Sequence, residues 1–274
     1  MNSDFYFNIG KSHTVCQDYA LAATSEDGGE AVFLSDGCSS SPHTDFGARF
    51  ICTAAAQQWK TEGLKDAYPT ILRAFAMSQM AGLPPDCLDA TLLAAFPQQA
   101  GVRVRAWGDG VIAARERGSG RIFRMAIQAP KGAPDYPSYL LDRDRMGNYF
   151  RYTKDAGKFL HRSYGTADVV ETREGSVFEG VSVYFPAATY DLVSIMSDGA
   201  QSFQQKDERG GLHTIPVEDV VAHVMNIRGN VGEFIVRTVR NVFLNRHCPQ
   251  NNWTHYDDFT VASIFIPAPA EEAT

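Results

Sequence analysis

The sequence predicts an α+β protein with antiparallel sheets in the middle and helices outside. Short strand-like runs separated by glycine and aspartate turns dominate the first half of the chain. Amphipathic segments with helical periodicity come in two pairs, and strand-like runs bracket each pair. The 274 residues, 44% hydrophobic and 21% charged, have the balance of a globular protein, and they allow one large domain or two small ones.

The strand predictions rest on apolar runs that end at turn residues. These runs are Ala20–Ala23, Ala31–Ser35, Thr91–Phe96, Val102–Trp107, Val111–Arg115 and Ile122–Ile127. Gly108-Asp109-Gly110 separates two of them and predicts a hairpin turn. We therefore expect antiparallel sheets built from hairpins.

The first helix pair is predicted between the second and third runs. Thr44 is expected to cap a helix that continues to about Lys60. Pro69 is a favourable first residue for a second helix, which extends to Met80. The predicted buried face of the first helix contains Phe46, Phe50, Ala54 and Ala55.

The second helix pair is predicted late in the chain. Val217–Ile227 follows a start signal made by Thr214 and Pro216. A strongly amphipathic run follows over residues 230–244, with Glu233 at the position of a capping box that begins at Asn230. Both pairs are expected to lie outside the sheets.

The charge of the chain limits the classes of molecule that it is expected to bind. The formal net charge is −7, and acidic and basic residues are mixed along the chain. A surface for nucleic acid or for an anionic membrane needs a basic stripe, so we expect neither partner. No run approaches the roughly 20 apolar residues of a membrane span.

The cysteines and the first eleven residues indicate the cellular compartment of the protein. The five cysteines, an odd number without paired spacing, fit neither a disulfide framework nor a structural zinc site. Residues 1–11 do not resemble a signal peptide. Free thiols in a reducing cytoplasm are therefore expected.

Two segments are expected to stand apart from the core. Residues 129–166 are the least patterned part of the chain and are either a long surface insertion or a flap over a site; the insertion is favoured. Residues 267–274 are proline, alanine, glutamate and threonine, and they predict a loose tail.

Acidic residues recur at the ends of predicted strands. Residues 31–37 form an apolar strand that ends in Ser-Asp-Gly, and residues 191–199 repeat this design. Acids also stand at the start of two other strands, in residues 17–21 and 256–264. Each of these patterns alone is typical of a solvated turn.

Together they are more specific, because acids at the ends of neighbouring strands converge. Converging carboxylates repel one another unless cations neutralise them, and oxygen ligands select magnesium or manganese. Two such ions activate a water molecule for attack on phosphorus. The sequence contains no pattern for a serine–histidine triad or a Walker loop.

In order and spacing, these segments resemble the motifs of the type 2C metal-dependent protein serine/threonine phosphatases. The matching segments are His13-Thr14-Val15-Cys16-Gln17-Asp18, Ser35-Asp36-Gly37, Asp89-Ala90-Thr91-Leu92, Gly108-Asp109-Gly110, Ser197-Asp198-Gly199 and Asp257-Asp258-Phe259-Thr260-Val261. The resemblance covers nearly the whole chain. It implies a single catalytic domain over residues 1–266, with two antiparallel sheets sandwiched between helix pairs.

The resemblance also implies a set of metal ligands. Asp36 would bridge two metal ions, and the carbonyl of Gly37 would bind one of them. Asp198 and Asp257 would hold the other ion. The alignment favours Asp257 over Asp258 as the ligand.

Further positions follow from the same resemblance. Asp18 would lie close to the metals, in direct contact or through water, and would share catalysis with Asp36. Asp109 would support a weaker third ion together with Asp198. The implied cofactors are two Mg2+ or Mn2+ ions.

The chain departs from the family pattern at two positions. The glutamate of the first motif is Gln17 here, which removes one negative charge but keeps a carbonyl oxygen. The arginine that grips the substrate phosphate is His13, which lacks a bidentate fork but has a proton to donate to the leaving group. The side chains considered as replacements for the missing positive charge are Lys11, His43 and Arg49.

Three functions remain open at this point. The favoured function is hydrolysis of phosphoserine and phosphothreonine in proteins, with a phosphoprotein as the partner. The second is a regulatory binding module that keeps the fold but has weak or no turnover, which His13 and Gln17 favour. The third is a phosphatase for a small phosphorylated metabolite or nucleotide.

Overall fold

The elements below belong to the computed structural model, which describes residues 1–154, 157–164, 170–174 and 178–268, without the side chains of residues 173 and 174. The strands are β1 (Asn2–Asn8), β2 (Tyr19–Thr24), β3 (Glu30–Ser35), β4 (Leu92–Pro97), β5 (Gly101–Trp107), β6 (Gly110–Glu116), β7 (Ile122–Gln128), β8 (Lys158–Tyr164), β9 (Val170–Glu174), β10 (Val181–Pro186), β11 (Tyr190–Met196), β12 (Phe203–Lys206), β13 (Leu212–Thr214), β14 (Trp253–His255) and β15 (Phe259–Phe265). The α-helices are α1 (Thr44–Glu62), α2 (Tyr68–Met80), α3 (Arg143–Thr153), α4 (Val217–Met225) and α5 (Cys248–Gln250). A π-helix spans Val236–His247, and 3-10 turns lie at Pro85–Leu88, Pro130–Gly132, Pro137–Leu141 and Asp198–Gln201.

Two antiparallel sheets pack face to face at the centre of the fold. The larger sheet has the strand order β1-β15-β11-β6-β7-β8-β9, and the smaller has the order β10-β5-β4-β3-β2. Val32 and Leu93 of the smaller sheet share one buried cluster with Ile112, Val193 and Ile264 of the larger sheet. This inter-sheet core confirms the predicted α+β sandwich.

A helix layer covers the outer face of each sheet. On the smaller sheet, Ile51 of α1 and Ile71 of α2 share a buried cluster with Phe33 of β3. On the larger sheet, Val221 of α4 and Val239 of the π-helix share another cluster. The fold therefore has four layers, with the two sheets in the middle and a helix layer on each outer face. This agrees with the prediction that both helix pairs lie outside the sheets.

The apolar runs of the first half were accurate predictors of strands. All six predicted strands are present as β2 to β7, and no boundary differs by more than one residue. The three residues predicted to make a hairpin turn do not form one. Gly108-Asp109-Gly110 connects β5 of the smaller sheet to β6 of the larger one, so the hairpin prediction was wrong. Gly108 and Gly110 have φ values of 91° and 136°, which allow the chain to cross between the sheets there.

The start of α1 also differs from the prediction. Thr44 is the first helical residue rather than the cap, and His43 stands at the cap position with a left-handed φ of 59°. The Thr44 hydroxyl instead donates a hydrogen bond to the carbonyl of Cys38, at 3.1 Å. Phe46 was expected on the buried face but is 47% exposed, because the buried face turns toward Gly47 and Ala48.

The last long helix begins later than predicted and has a different winding. Helical structure starts at Phe234, not at Asn230, and continues as the π-helix. The segment before it bends at Gly232, whose φ is 62°. The capping box predicted at Asn230 and Glu233 was therefore wrong. In contrast, α4 begins at the predicted Val217.

The segment expected as an insertion contains ordered structure. Between β7 and β8 it forms two 3-10 turns and α3, and the side chain of Asp142 caps α3 by accepting hydrogen bonds from the amides of Asp144 and Arg145. β8 then pairs with β7, so this part of the segment extends the larger sheet. Of the two predicted peripheral segments, residues 155–156, 165–166 and 269–274 lie outside the described residues. None of the described helices combines the length and the apolar character needed to cross a bilayer.

Candidate active site

Four aspartates that the sequence singled out line one cleft between the two sheets. Asp36 follows β3 of the smaller sheet, and Asp198 follows β11 of the larger sheet. Asp109, from the connection between the sheets, and Asp257, before β15, reach the same place. The cleft has a volume of about 150 Å³. Its other lining residues are Gly37, Cys38, Ser39, Thr91, Pro134 and Tyr136.

The position of Asp36 is fixed by Thr91 on the neighbouring strand end. The amide of Asp36 donates to Oγ1 of Thr91 at 3.0 Å, and the amide of Thr91 donates to the carbonyl of Asp36 at 2.9 Å. The hydroxyl of Ser35 donates to the carbonyl of Thr91 at 2.6 Å. These three bonds hold the backbone at the end of β3, so that the Asp36 carboxylate projects from a rigid support.

Gly37 follows Asp36 at a close approach between backbones. A Cβ atom at this position would lie 2.8 Å from the carbonyl oxygen of Gln17 and 2.8 Å from Cβ of Thr44. Glycine is therefore required here for space rather than for its φ value. The close packing brings the loop that carries Gln17 beside the cleft.

Asp198 is held by hydrogen bonds between the end of β11 and the start of β15. The amide of Ser197 donates to the carbonyl of Thr260 at 3.1 Å, and the amide of Thr260 donates to Oγ of Ser197 at 3.1 Å. A Cβ atom on Gly199 would lie 1.8 Å from the carbonyl oxygen of Asp258. The two acid-bearing segments of the larger sheet are thus locked together.

Asp18 lies deeper than the other aspartates and is 1% exposed. Neither of its carboxylate oxygens has a properly aligned hydrogen-bond partner among the described residues. Burial raises the pKa of Asp18 well above its usual range, and the nearby hydroxyls of Thr260 and Ser197 only partly oppose that effect. A buried carboxylate in this state is unfavourable without a cation nearby.

The aspartates of the cleft share this electrostatic situation. Burial raises the pKa of Asp36 well above its usual range, and the charges of Asp18 and Asp198 raise it further. Burial, followed by the charge of Asp198, raises the pKa of Asp109 to about 8. The pKa of Asp198 is also raised, chiefly by burial. The cleft therefore concentrates negative charge that only a cation or a proton can neutralise.

The residues present suit a hard divalent cation, although they do not yet surround a single point. Within the described part of the chain, no three acidic, histidine or cysteine side chains are already gathered as a set of ligands. Four aspartates nevertheless line one small cleft, with the unpartnered oxygens of Asp18 behind them. Carboxylate and carbonyl oxygens are the donors that Mg2+ and Mn2+ prefer.

Adjacent aspartates 257 and 258 have different surroundings. Asp257 lines the cleft, and its side chain is 46% exposed. Asp258 is buried, and its carboxylate accepts hydrogen bonds from the amides of Gly10 at 2.7 Å and Gln17 at 2.6 Å. Asp258 thus holds the loop that precedes β2, while Asp257 remains available to a ligand.

The imidazole of His13 lies between these two acids. Its Nε2 is 3.4 Å from Oδ1 of Asp257, and its Nδ1 is 3.0 Å from Oδ2 of Asp258. The second pair is close enough for an ion pair but is not aligned as a hydrogen bond. His13 is thus adjacent to the acidic cleft without lining it.

A larger groove adjoins the cleft on the side of His13. It has a volume of about 760 Å³, and Ser39 lines both the groove and the cleft. Its other lining residues are Ser12, His13, Thr14, Val15, Gln17, His43, Asp45 and Phe46. The small acidic cleft is therefore one end of a longer polar depression.

Comparison with known proteins identifies the family. The family profile described as Protein phosphatase 2C matches residues 9–238, which is most of the chain. The chain belongs to the protein phosphatase 2C family. A comparison with the sequences of curated proteins gives no significant match.

Solved structures share the fold of this protein phosphatase 2C chain at low sequence identity. The serine/threonine phosphatase Stp1 from Staphylococcus aureus is 12% identical, with 98% of this chain and 96% of that chain covered and a TM-score of 0.58. Serine-threonine phosphatase 2C from Toxoplasma gondii is 11% identical, with coverages of 97% and 94% and a TM-score of 0.56. These similarities establish the fold.

The departures of this protein phosphatase 2C chain from the family pattern have structural consequences. The side-chain amide of Gln17 donates to Oγ1 of Thr44 at 2.8 Å, which leaves its carbonyl oxygen free to face a ligand. Of the three side chains considered as replacements for the missing arginine, only His43 lines the groove. The Lys11 ammonium lies 5.5 Å from the ring centroid of Tyr256, and the Arg49 guanidinium lies 4.6 Å from that of Tyr19.

Sequence reasoning favoured a surface insertion over a flap for the segment between β7 and β8, and it did not place Tyr136 or Pro134 at the cleft. Tyr136 and Pro134 of this segment line the aspartate cleft. Asp135 forms a buried ion pair with Lys158 of β8, with Oδ2 and Nζ 3.0 Å apart. The irregular pattern of residues 129–166 contained no periodicity that would have placed Tyr136 beside strands β3 and β11.

Proposed function

We propose that this protein phosphatase 2C chain is a metal-dependent phosphomonoester hydrolase that acts on phosphoserine and phosphothreonine in proteins. The observation that carries the proposal is the cleft lined by Asp36, Asp109, Asp198 and Asp257. Carboxylates gathered around one small cleft are unfavourable in their charged form unless a bound cation neutralises them, and the alternative is protonation. Their oxygen-only chemistry favours Mg2+ or Mn2+.

Each acidic group has a role in this proposal. Asp36 would be a ligand of both ions, the carbonyl of Gly37 would bind one of them, and Asp198 and Asp257 would hold the other. When bound, the two cations would lower the pKa of a water molecule and neutralise charge on the phosphoryl oxygens. Asp18 would orient ligands from behind Asp36. A weaker third ion is proposed at Asp109 and Asp198.

His13 and the adjoining groove would bind and orient the substrate. Nδ1 of His13 is 3.0 Å from the buried Asp258, so that carboxylate would orient the imidazole, and Nε2 would donate a proton to the leaving oxygen once Asp257 binds a metal ion. The groove of about 760 Å³ is large enough to take side chains that flank a phosphorylated residue. The family match, rather than the size of the groove, favours a phosphoprotein over a small metabolite. All five cysteines are free, and we propose a reducing cytoplasm as the compartment.

The test measures hydrolysis of p-nitrophenyl phosphate and of a phosphothreonine peptide with Mn2+, with Mg2+ and with EDTA. Wild type is compared with Asp36→Asn and Asp198→Asn. Asp219→Asn serves as the matched control, because Asp219 is exposed on α4 and does not line the cleft. We expect metal-dependent turnover that both cleft variants lose and the control keeps.

A second candidate is a regulatory binding module with weak turnover. It is favoured by His13, whose ring already faces two carboxylates instead of presenting a free guanidinium to a phosphate. A folded wild-type protein that hydrolyses neither substrate with either metal, yet still binds the phosphopeptide, would establish this second candidate. Turnover of p-nitrophenyl phosphate alone would favour a small phosphorylated substrate.

A further inference from the structure

A second cavity lies on the outer face of the larger sheet, among the end of α4, the loop that follows it and the π-helix. Its volume is about 550 Å³, which is within the range of roughly 300–1,000 Å³ found for small-molecule sites. The polar side chains that line it are His223, Asn226, Arg228, Arg237 and Thr238. None of these residues lines the aspartate cleft.

The charge of this cavity is opposite to that of the whole chain. The formal net charge of the chain is −7, yet the residues that line the cavity include two arginines and no acid. Within the described part of the chain, Arg228 has no hydrogen bond or ion pair. Nη2 of Arg237 donates to the carbonyl of Val231 at 2.6 Å, so its other N–H groups remain available.

The remaining walls are formed by aromatic rings and by one side of the π-helix. Phe234 and Phe243 line the cavity, and the ring of His223 stacks on Phe243 with centroids 5.1 Å apart and an interplanar angle of 14°. Thr238 and Phe243 are five residues apart, which is the hydrogen-bonding interval of a π-helix, so the unusual winding places them on one side.

Hydrogen bonds hold the walls of the cavity in place. Nη1 of Arg115, on β6, donates to the carbonyls of Met225 at 3.0 Å and Ile227 at 2.8 Å. The amide of Ile235 donates to Oδ2 of Asp4, on β1, at 2.6 Å. The loop between α4 and the π-helix is thus attached to two strands of the larger sheet, so the cavity is preformed.

We propose that this cavity binds a small phosphorylated molecule that carries an apolar group, at a site separate from the aspartate cleft. Two guanidinium groups with the nearby side chains of Asn226 and Thr238 offer more donors than the two oxygens of a carboxylate can accept. A phosphoryl group has three terminal oxygens and the charge to match. The two phenylalanines are the surface for its apolar part.

The test uses isothermal titration calorimetry on the whole chain with phenylphosphonate, a phosphoryl group that is not hydrolysed. EDTA is present throughout, because the aspartate cleft without cations repels anions and does not contribute to binding. Inorganic phosphate and benzoate are titrated in parallel. The variants are Arg228→Gln and Thr238→Val, with Arg246→Gln as the control, since Arg246 is exposed on the same π-helix and does not line the cavity.

We expect saturable binding of one phenylphosphonate, weaker binding of inorganic phosphate and weaker binding of benzoate. Arg228→Gln should weaken phenylphosphonate binding about tenfold or more, because it removes a charge-assisted hydrogen bond. Arg246→Gln should bind like wild type. The proposal is overturned if wild type shows no saturable binding, if Arg228→Gln and Thr238→Val both bind as tightly as wild type, or if benzoate binds as tightly as phenylphosphonate.

Discussion

Nη2 of Arg145 lies within hydrogen-bonding distance of both carboxylate oxygens of Asp89, at 2.8 and 2.7 Å. Asp89 precedes β4 at the edge of the aspartate cleft, and Arg145 is on α3. The hydroxyl of Ser138 also donates to Asp89, at 2.8 Å. These contacts attach the segment between β7 and β8 to the smaller sheet, and they hold Tyr136 at the wall of the cleft.

Arg145→Ala should therefore destabilise the protein and loosen this segment. Asp89 has a side chain that is only 6% exposed, and it would lose its charged partner while staying largely buried. The expected cost is about 1–3 kcal/mol of unfolding free energy. Thermal denaturation measures the loss, and limited proteolysis followed by mass spectrometry locates new cleavage within residues 130–153.

Arg143→Ala provides the matched comparison, since Arg143 is an exposed arginine in the first turn of the same helix. Its melting temperature and cleavage pattern should equal those of wild type. Equal stability of the Arg143 and Arg145 variants would show that the contact with Asp89 does not hold the segment.

Divalent cations should stabilise the protein, and the cleft aspartates should determine that effect. Ligand binding to the folded state adds about 2.7 kcal/mol when the free ligand is at 100 times its Kd. Differential scanning fluorimetry with Mn2+ should therefore give a higher melting temperature than with EDTA. Asp36→Asn should remove most of this increase, because it neutralises a proposed ligand shared by both ions.

In EDTA, we expect the same substitution to raise the melting temperature. Asp36→Asn removes one of several buried carboxylates that repel one another, so the metal-free variant should melt at a higher temperature than metal-free wild type. Asp219→Asn should leave the Mn2+-dependent increase unchanged and should not raise the melting temperature in EDTA, because Asp219 stands in the first turn of α4 and does not line the cleft. Lower stability of metal-free Asp36→Asn would contradict the view that the acidic cleft stores unfavourable electrostatic energy.

Gln17→Glu should tighten the binding of metal ions. It restores a carboxylate at the position where this chain departs from the family, beside Gly37 and the loop of Asp18. The hydrogen bond from the Gln17 amide to Thr44 would be lost, at a cost of about 1 kcal/mol in EDTA. A titration of melting temperature against Mn2+ concentration measures the change in affinity.

For this variant, Gln57→Glu is the control, because Gln57 is exposed on α1 and the substitution changes the net charge equally. The Mn2+ concentration at half-maximal effect should fall for Gln17→Glu and stay constant for Gln57→Glu. An unchanged midpoint for Gln17→Glu would mean that this side chain does not face the metals.

The strands and the positions of the acids could be predicted from sequence, because local signals determine them. An apolar run followed by Asp-Gly specifies both a buried strand and the acid at its end, as in β3 with Asp36. Long-range pairing had no such signal. Gly108-Asp109-Gly110 has the composition of a hairpin turn, and only the assignment of β5 and β6 to different sheets reveals a crossover.

Helix boundaries and the wall of the cleft depended on tertiary contacts. The hydroxyl of Thr44 bonds to Cys38 and Gln17 rather than to its own helix, so capping preferences placed it one residue off. Tyr136 reaches the cleft because Asp135 pairs with Lys158, 23 residues later in the chain, and Arg145 pairs with Asp89. No periodic pattern within residues 129–166 encodes those pairings.

His223 should make the protein less stable as the pH falls. Burial lowers the pKa of His223 below its ordinary value of 6.5, and the nearby imidazole of His247, with centroids 3.8 Å away, lowers it further. The unfolded state therefore binds more protons than the folded state between those two pKa values. It follows that the unfolding free energy decreases as the pH drops through 6.5 toward the lower folded-state value.

His223→Phe separates this titration from the packing, because it keeps a ring against Phe243 but cannot be protonated. Urea denaturation of wild type and variant at several pH values between about 8 and 5 measures the difference. Above pH 6.5, we expect the unfolding free energies of wild type and His223→Phe to differ by a constant amount. Below pH 6.5, wild type should lose more stability than the variant.

His213→Phe is the control, since His213 is exposed on β13 and lies near Asp207 instead of a second histidine. Parallel curves for wild type and His223→Phe over the whole range would show that the folded protein accommodates charged His223 as well as the unfolded chain does, which would contradict the lowered pKa of an imidazole packed against Phe243 and His247.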